Sequence, residues 1–160
     1  MLRTALILLA LALGSLAPLS AQTSPDCATG RARGAWDLPT RAGDGHVRGI
    51  LADGSGRRWA LEGLLTLEAP DGGLRGGRLT GLLMPLRADG SLGKPLAEVH
   101  GHWIVALERS GRFETAIYPL QEAPDERPEP IGKLAGAFSD PMVDGGDAVG
   151  RFSGRWAVCR

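Results

Sequence analysis

The chain has little of the chemistry on which most enzymes and metal proteins depend. Asparagine is absent, tyrosine occurs once, cysteine twice and histidine three times among 160 residues. The sequence also contains no Gly-x-Ser-x-Gly elbow, no phosphate-binding loop and no His-Glu-x-x-His helix. These absences predict a protein that is not an enzyme and that carries no cofactor.

Charge of either sign is not in excess. Lys and Arg together number 18, as do Asp and Glu, and only two of the basic residues are Lys. This bias toward Arg, together with the missing Asn, is typical of a GC-rich bacterial genome. A chain without net positive charge has no bulk attraction to nucleic acid, so we expect no nucleic-acid partner.

Only one long hydrophobic run is present, and it lies at the start. Arg3 precedes the apolar segment Ala5 to Leu13, and small residues lead to Ala21. This layout predicts a secretory signal over residues 1–21, cleaved after Ala21, followed by a single β domain over residues 22–160. No second run approaches the roughly 20 residues of a membrane-spanning helix. We therefore expect a periplasmic or secreted protein that does not span a membrane once the signal is removed.

The two cysteines lie near opposite ends of the mature chain. In an oxidising compartment Cys27 and Cys159 are expected to form a disulfide that ties the first strand to the last, the alternative being two free thiols.

A five-residue pattern recurs along the chain: an apolar residue, any residue, Gly, any residue, and another apolar residue. The eight copies are Ala32 to Trp36, Val47 to Leu51, Leu61 to Leu65, Leu79 to Leu83, Val99 to Trp103, Phe113 to Ile117, Leu134 to Phe138 and Phe152 to Trp156. Seven have Gly at the centre and one has Thr115. Alternation with period two indicates strands with one apolar face, and the Gly always lies on that face.

Turn residues between the copies predict antiparallel hairpins. They are Asp53-Gly54, Asp71-Gly72-Gly73, Asp89-Gly90 and Ser110-Gly111. An all-β meander of about eight strands can hide one apolar face by curling shut, and Gly on that face leaves room for cross-strand aromatic rings. We predict a small up-and-down barrel, with an open, strongly coiled sheet as the alternative. Residues 120–130 and 139–147 are predicted to be irregular loops.

Three short segments resemble two known families. Gly34-Ala35-Trp36 resembles the Gly-x-Trp that opens many calycin barrels, the lipocalin and avidin group, and this resemblance implies an eight-stranded barrel with a ligand cavity. Gly132 to Gly136 and Gly150 to Gly154 are similar to the Gly and aromatic alternation of MORN repeats.

Metal ligands are suggested at two places. Glu98, His100 and His102 alternate on the polar face of one predicted strand, a spacing compatible with metal ligation, the alternative being a solvated strand face. Asp140, Asp144 and Asp147 crowd a Gly-rich segment whose oxygens suit a hard cation such as calcium, or are solvated turn residues.

Two further sets suggest binding surfaces. Arg78, Lys133, Arg151 and Arg155 lie on polar strand faces and could form a patch for anionic envelope polymers, or merely scattered solubilising charge. Trp36, Trp59, Trp103 and Trp156 all lie on the Gly-bearing face. They either fill the core or line a cavity for a small apolar ligand.

Four functional classes remain open at this point. The first is a non-catalytic binding or envelope interaction module, and the second is a carrier of a small apolar ligand. The third is a small outer-membrane barrel, in which the Gly-bearing face would meet lipid. The fourth is a protein inhibitor or assembly factor that contacts its partner through residues 120–130.

Overall fold

The computed structural model describes residues 26–39, 44–71, 74–106, 111–120, 128–144 and 147–159, and the regular secondary structure in these residues consists of strands. The predicted all-β fold class is therefore confirmed. The strands are β1 (Cys27–Pro39), β2 (Gly45–Asp53), β3 (Arg58–Asp71), β4 (Leu74–Pro85), β5 (Ala97–Ala106), β6 (Gly111–Pro119), β7 (Gly132–Asp144) and β8 (Asp147–Cys159).

The eight strands form a closed barrel in which each pairs antiparallel with its neighbours in sequence. The seam between β1 and β8 runs the whole length of β1, from Cys27 opposite Cys159 to Pro39 opposite Asp147. The up-and-down barrel is thus confirmed, and the open sheet is wrong. The predicted disulfide between Cys27 and Cys159 is present, at the end of the barrel that we call the disulfide end.

The Gly-bearing face of every strand points into the barrel. Large apolar side chains such as Leu61, Leu79 and Phe138 are almost completely buried there, while charged side chains such as Arg33, Glu62 and Arg151 lie outside. An outer-membrane barrel requires the apolar face to meet lipid. The orientation found here is the reverse, with the Gly-bearing face inside the barrel and the charged side chains outside.

Interior glycines make room for aromatic rings on the adjacent strand. Phe152 lies opposite Gly34, and Trp36 lies opposite Gly150. A methyl group added at either glycine would overlap the facing ring. The same arrangement joins Trp156 to Gly30 and Phe113 to Gly136. The expectation that bare backbone accommodates cross-strand rings is confirmed at these glycines, whereas a methyl group at Gly63, Gly81 or Gly101 would instead meet backbone or aliphatic atoms.

Two described turns use an Asp and a later Gly with positive φ. Gly56 has φ of 85° and Gly90 has φ of 83°. An Asp-Gly hairpin turn predicts positive φ at Gly54. The structure places positive φ two residues later, at Gly56, because Asp53 accepts the backbone N–H of Ser55 and of Arg57 in a longer turn. The predicted turns at residues 72–73 and at Ser110 lie outside the described residues.

One predicted loop is wrong. Residues Ser139 to Asp144 belong to β7 and pair with β8, with a register shift between Ser139 and Met142. Pairing with a complete neighbouring strand overrides the weak β propensity of Asp and Pro in this segment. Of the other predicted loop, residues 121–127 lie outside the described part, and residues 120 and 128–130 are not in strands.

Candidate functional site

The interior opens at the disulfide end into a concave space, which we call the cup. Its volume is about 700 Å³, within the range of small-molecule sites. The side chains around it come from most of the strands and are mainly apolar. They are Asp26, Cys27, Ala28, Leu51, Arg57, Trp59, Leu83, Leu96, Ala97, Ile117, Ile131, Trp156, Val158 and Cys159.

Two tryptophans form one side of the cup. The rings of Trp59 and Trp156 meet edge to face, with centroids 5.2 Å apart. Trp156 is 6% exposed, whereas Trp59 is only partly buried. The indole N–H of Trp156 has no hydrogen-bond partner among the described atoms, so packing alone holds this ring.

The mouth of the cup carries a cation that is already neutralised. The guanidinium of Arg57 lies 5.7 Å from the ring centre of Trp59, and its Nε donates to Asp53 Oδ2 at 2.7 Å. Burial of the Asp53 carboxylate opposes its ionisation, but hydrogen bonds from Ser55 and Arg57 outweigh that effect and lower its pKa to about 2. Arg57 therefore offers its stem and its contact with Trp59 rather than a free charge.

The opposite half of the barrel contains packed rings. Trp36 contacts Phe138, with centroids 5.4 Å apart, and Phe138 contacts Phe113 at 5.2 Å. The indole N–H groups of Trp36 and Trp103 donate to the carbonyls of Arg151 and Arg78, at 3.2 and 3.0 Å. Of the four tryptophans suggested for a cavity, Trp59 and Trp156 line the cup, and Trp36 and Trp103 belong to the core.

The suggested metal ligands Glu98, His100 and His102 all lie on the outer face of β5. His100 Nε2 is 2.9 Å from Glu98 Oε2, and its ring packs edge to face on Tyr118. His102 lies opposite Glu114 of β6. Among the described residues no three His, Cys, Asp or Glu side chains gather in a way that could hold a metal ion.

The second suggested cation site, formed by Asp140, Asp144 and Asp147, lies mostly outside the side chains that the structure describes. Asp147 is exposed at the start of β8, while the side chains of Asp140 and Asp144 are not described. Most of residues 120–130, the suggested contact loop of an inhibitor or assembly factor, likewise lie outside the described part.

The basic residues singled out in the sequence do not form one patch. Lys133, Arg151 and Arg155 lie on the adjacent strands β7 and β8. Arg78 lies on β4, on the other side of the barrel, where its Nε donates to Glu68 Oε1 at 2.5 Å.

Closure of the barrel instead brings together arginines of β8, β1 and β2. We call this surface the arginine wall. Its members are Arg31, Arg33, Arg48, Arg151 and Arg155, and all five are exposed. Arg31 lies opposite Arg155, while Ala35 lies between Arg48 on one side and Arg151 on the other. Three members of the wall were not among the basic residues singled out in the sequence. They could have been found there, because Arg31 and Arg33 alternate on one strand and Arg48 is on the next.

The described residues contain no helix of the length and hydrophobicity that a membrane crossing needs. Comparison of the chain with protein-family models, with curated proteins and with solved structures gives no match.

Proposed function

We propose that the protein is an exported, non-catalytic binding protein that carries a small, uncharged, ring-bearing apolar molecule in the cup. The observation that carries this proposal is the contrast between the two halves of the interior. One half contains packed aromatic rings, while the disulfide end holds about 700 Å³ lined by apolar side chains and two tryptophans.

The lining selects an uncharged ligand. A buried charge without a partner is costly, and the cup has few groups that could pair with one. Arg57 is bound to Asp53, and the other charged lining residue, Asp26, is exposed at the rim. The tryptophans favour rings, because edge-to-face and stacked aromatic contacts add to the free energy of apolar burial.

Apolar surface continues onto the rim. Leu96 is 56% exposed, and its backbone N–H donates to the Leu83 carbonyl at 2.8 Å, which fixes the segment just before β5. An exposed leucine beside an apolar cup is the surface that an entering apolar molecule meets first.

Export is supported by two features. The first 21 residues have the layout of a secretory signal, and the disulfide is typical of oxidising compartments. We place the protein in the periplasm or outside the cell.

A neutral fluorescent probe, N-phenyl-1-naphthylamine, tests the cup. We expect one probe molecule per chain, with enhanced probe fluorescence. The variant Ala97→Phe adds a ring to the lining and should weaken binding at least tenfold. Its matched control is Ala116→Phe, which adds the same ring to the outer face of the neighbouring strand β6 and should leave probe affinity unchanged.

Far-ultraviolet circular dichroism of both variants establishes that each is folded before the titrations are compared. Absence of probe binding to the wild type, or equal affinity of Ala97→Phe and wild type, would overturn the proposal. If the probe binds as expected, native mass spectrometry of protein taken from its host envelope should show a mass shift that the folded Ala97→Phe variant lacks.

A further inference from the structure

We infer that the arginine wall is a second binding surface, independent of the cup, for a linear polysaccharide that carries sulfate, phosphate or carboxylate groups. The wall arises at the seam where the last strand meets the first. The guanidinium groups of its five arginines make no ion pair or hydrogen bond within the described part of the chain.

Some other charged side chains on the barrel do have partners of opposite charge. Arg57 pairs with Asp53, Arg78 with Glu68, and His100 with Glu98. Only one carboxylate directly faces an arginine of the wall across a ladder. It is Glu62 of β3, opposite Arg48, and the two form no ion pair. Five arginines gathered with so little neutralisation repel one another, and an anionic partner relieves that repulsion.

The spacing of the wall suits a repeating polyanion. Arg48 and Arg151 lie on either side of Ala35, about 10 Å apart at the backbone, because each strand is about 4.8 Å from the next. Arg33 is one outward position from Ala35 and Arg31 is two, at about 7 Å per step along β1. The charges thus form a stripe along the barrel that ends at Asp37, which pairs with His46 at 3.1 Å.

The surface shape of the arginine wall favours a linear polymer over a flat membrane as its partner. Two shallow furrows share Arg48 and Arg151 as lining residues, one continuing past Asp37 and Val149 and the other past Arg33 and Ile50. A linear polymer can lie in such furrows, and a guanidinium fork can hold a sulfate or carboxylate in bidentate fashion. Anchoring in a bilayer requires several exposed apolar side chains, and Met142 is the one large exposed example among the lining residues.

Heparin, a sulfated linear polysaccharide, serves as the probe in titrations at several salt concentrations. The double variant Arg48→Gln/Arg151→Gln should bind at least tenfold more weakly, and its slope of log affinity against log salt should fall by roughly 2. The control Arg78→Gln/Arg87→Gln removes the same charge from β4 and the segment after it, and should retain wild-type affinity.

A second pair of variants tests the inference in the opposite direction. Glu62→Gln removes the carboxylate that faces Arg48 and should tighten heparin binding two- to fivefold. Glu98→Gln makes the same net charge change on β5 and should not. Equal responses within each pair would show that net charge alone governs binding, and would overturn the inference.

The last test measures binding to vesicles of phosphatidylglycerol and phosphatidylcholine, for comparison with binding to heparin. Binding to vesicles without binding to heparin would replace the polysaccharide with a lipid surface and overturn the inference. Since Ala97→Phe changes the cup and leaves the wall intact, its heparin affinity should equal that of the wild type. The two binding sites can therefore fail separately.

Discussion

Glycine at the interior positions is required by contact rather than by backbone conformation. At Gly34 an added methyl group would overlap the carbonyl oxygen of Arg48 and the ring of Phe152. Overpacking of this kind costs about 1–3 kcal/mol of stability, and more where backbone must move. We expect Gly34→Ala to lower the free energy of unfolding by at least that amount in urea denaturation.

The control for this prediction is Gly54, which lies in the exposed turn between β2 and β3. A methyl group there meets no atom within 4 Å. Gly54→Ala should change the free energy of unfolding by less than about 0.5 kcal/mol. Equal effects of the two substitutions would contradict the contact explanation.

Thr115 occupies the position that Gly holds in the other seven copies of the repeat, and it lies opposite Gly101. It is 3% exposed, and its hydroxyl donates to the Leu134 carbonyl at 2.8 Å. Thr115→Val keeps the shape and removes the donor, so stability should fall by about 1 kcal/mol in urea denaturation. Thr66→Val, on the exposed face of β3, should change stability much less, and a similar loss at both sites would contradict the role of the hydrogen bond.

Among elements, the turn between β2 and β3 places Arg57 at the mouth of the cup. Asp53 organises it, since its side chain is 5% exposed and accepts hydrogen bonds from Ser55 and Arg57. Folding lowers the pKa of Asp53 from 3.8 to about 2. The resulting stabilisation is complete above about pH 4 and is lost as the pH falls from 3.8 toward 2.

Asp53→Asn should therefore flatten the acid side of the stability profile. Thermal unfolding followed between pH 5 and pH 2 should show a smaller fall in Tm for the variant than for the wild type. In the next described turn, hydrogen bonds from Ser91 also lower the pKa of Asp89, but no arginine pairs with it. Asp89→Asn should flatten the profile less, and an equal effect would remove the special role of the Arg57 pair.

The strands themselves could be predicted because two features of the repeated segments agree. The alternation with period two and the central Gly on the apolar face both indicate a strand with one buried face. The extension of β7 over Ser139 to Asp144 could not be predicted, because its residues favour turns and only pairing with β8 makes them a strand. The position of positive φ was also missed. It depends on which backbone N–H groups the Asp53 carboxylate reaches, which the Asp-Gly pair does not specify.

For the whole molecule, the disulfide joins strands that are already paired along their length. Its stabilisation therefore comes from limiting the unfolded chain across a separation of 132 residues, about 5 kcal/mol in the chain-entropy model. Cys27→Ser/Cys159→Ser should remain a folded barrel with a much lower Tm. Reductant should lower the Tm of the wild type and leave that of the variant unchanged. A double variant that does not fold would show that the bond is needed to form the seam.

Neither the cup nor the arginine wall could be fully located without the three-dimensional order of the strands. Trp59 begins β3 and Trp156 lies near the end of β8, so the antiparallel order places both at the disulfide end, while Trp36 and Trp103 fall toward the other. The sequence pattern shows that the four tryptophans share one face, but it does not show how far each lies from the disulfide end. The arginine wall depends on the pairing of β8 with β1. The net charge of the chain does not reveal it, because carboxylates elsewhere balance these arginines.

Closure of the barrel has a consequence for how any partner can bind. Each of the eight described strands has two hydrogen-bonded neighbours, so within the barrel no strand edge is free to accept an added strand from another protein or from a second copy. Recognition of this molecule must therefore be carried by side chains or by the segments that join the strands. Self-association through β pairing would first require the seam between β1 and β8 to open.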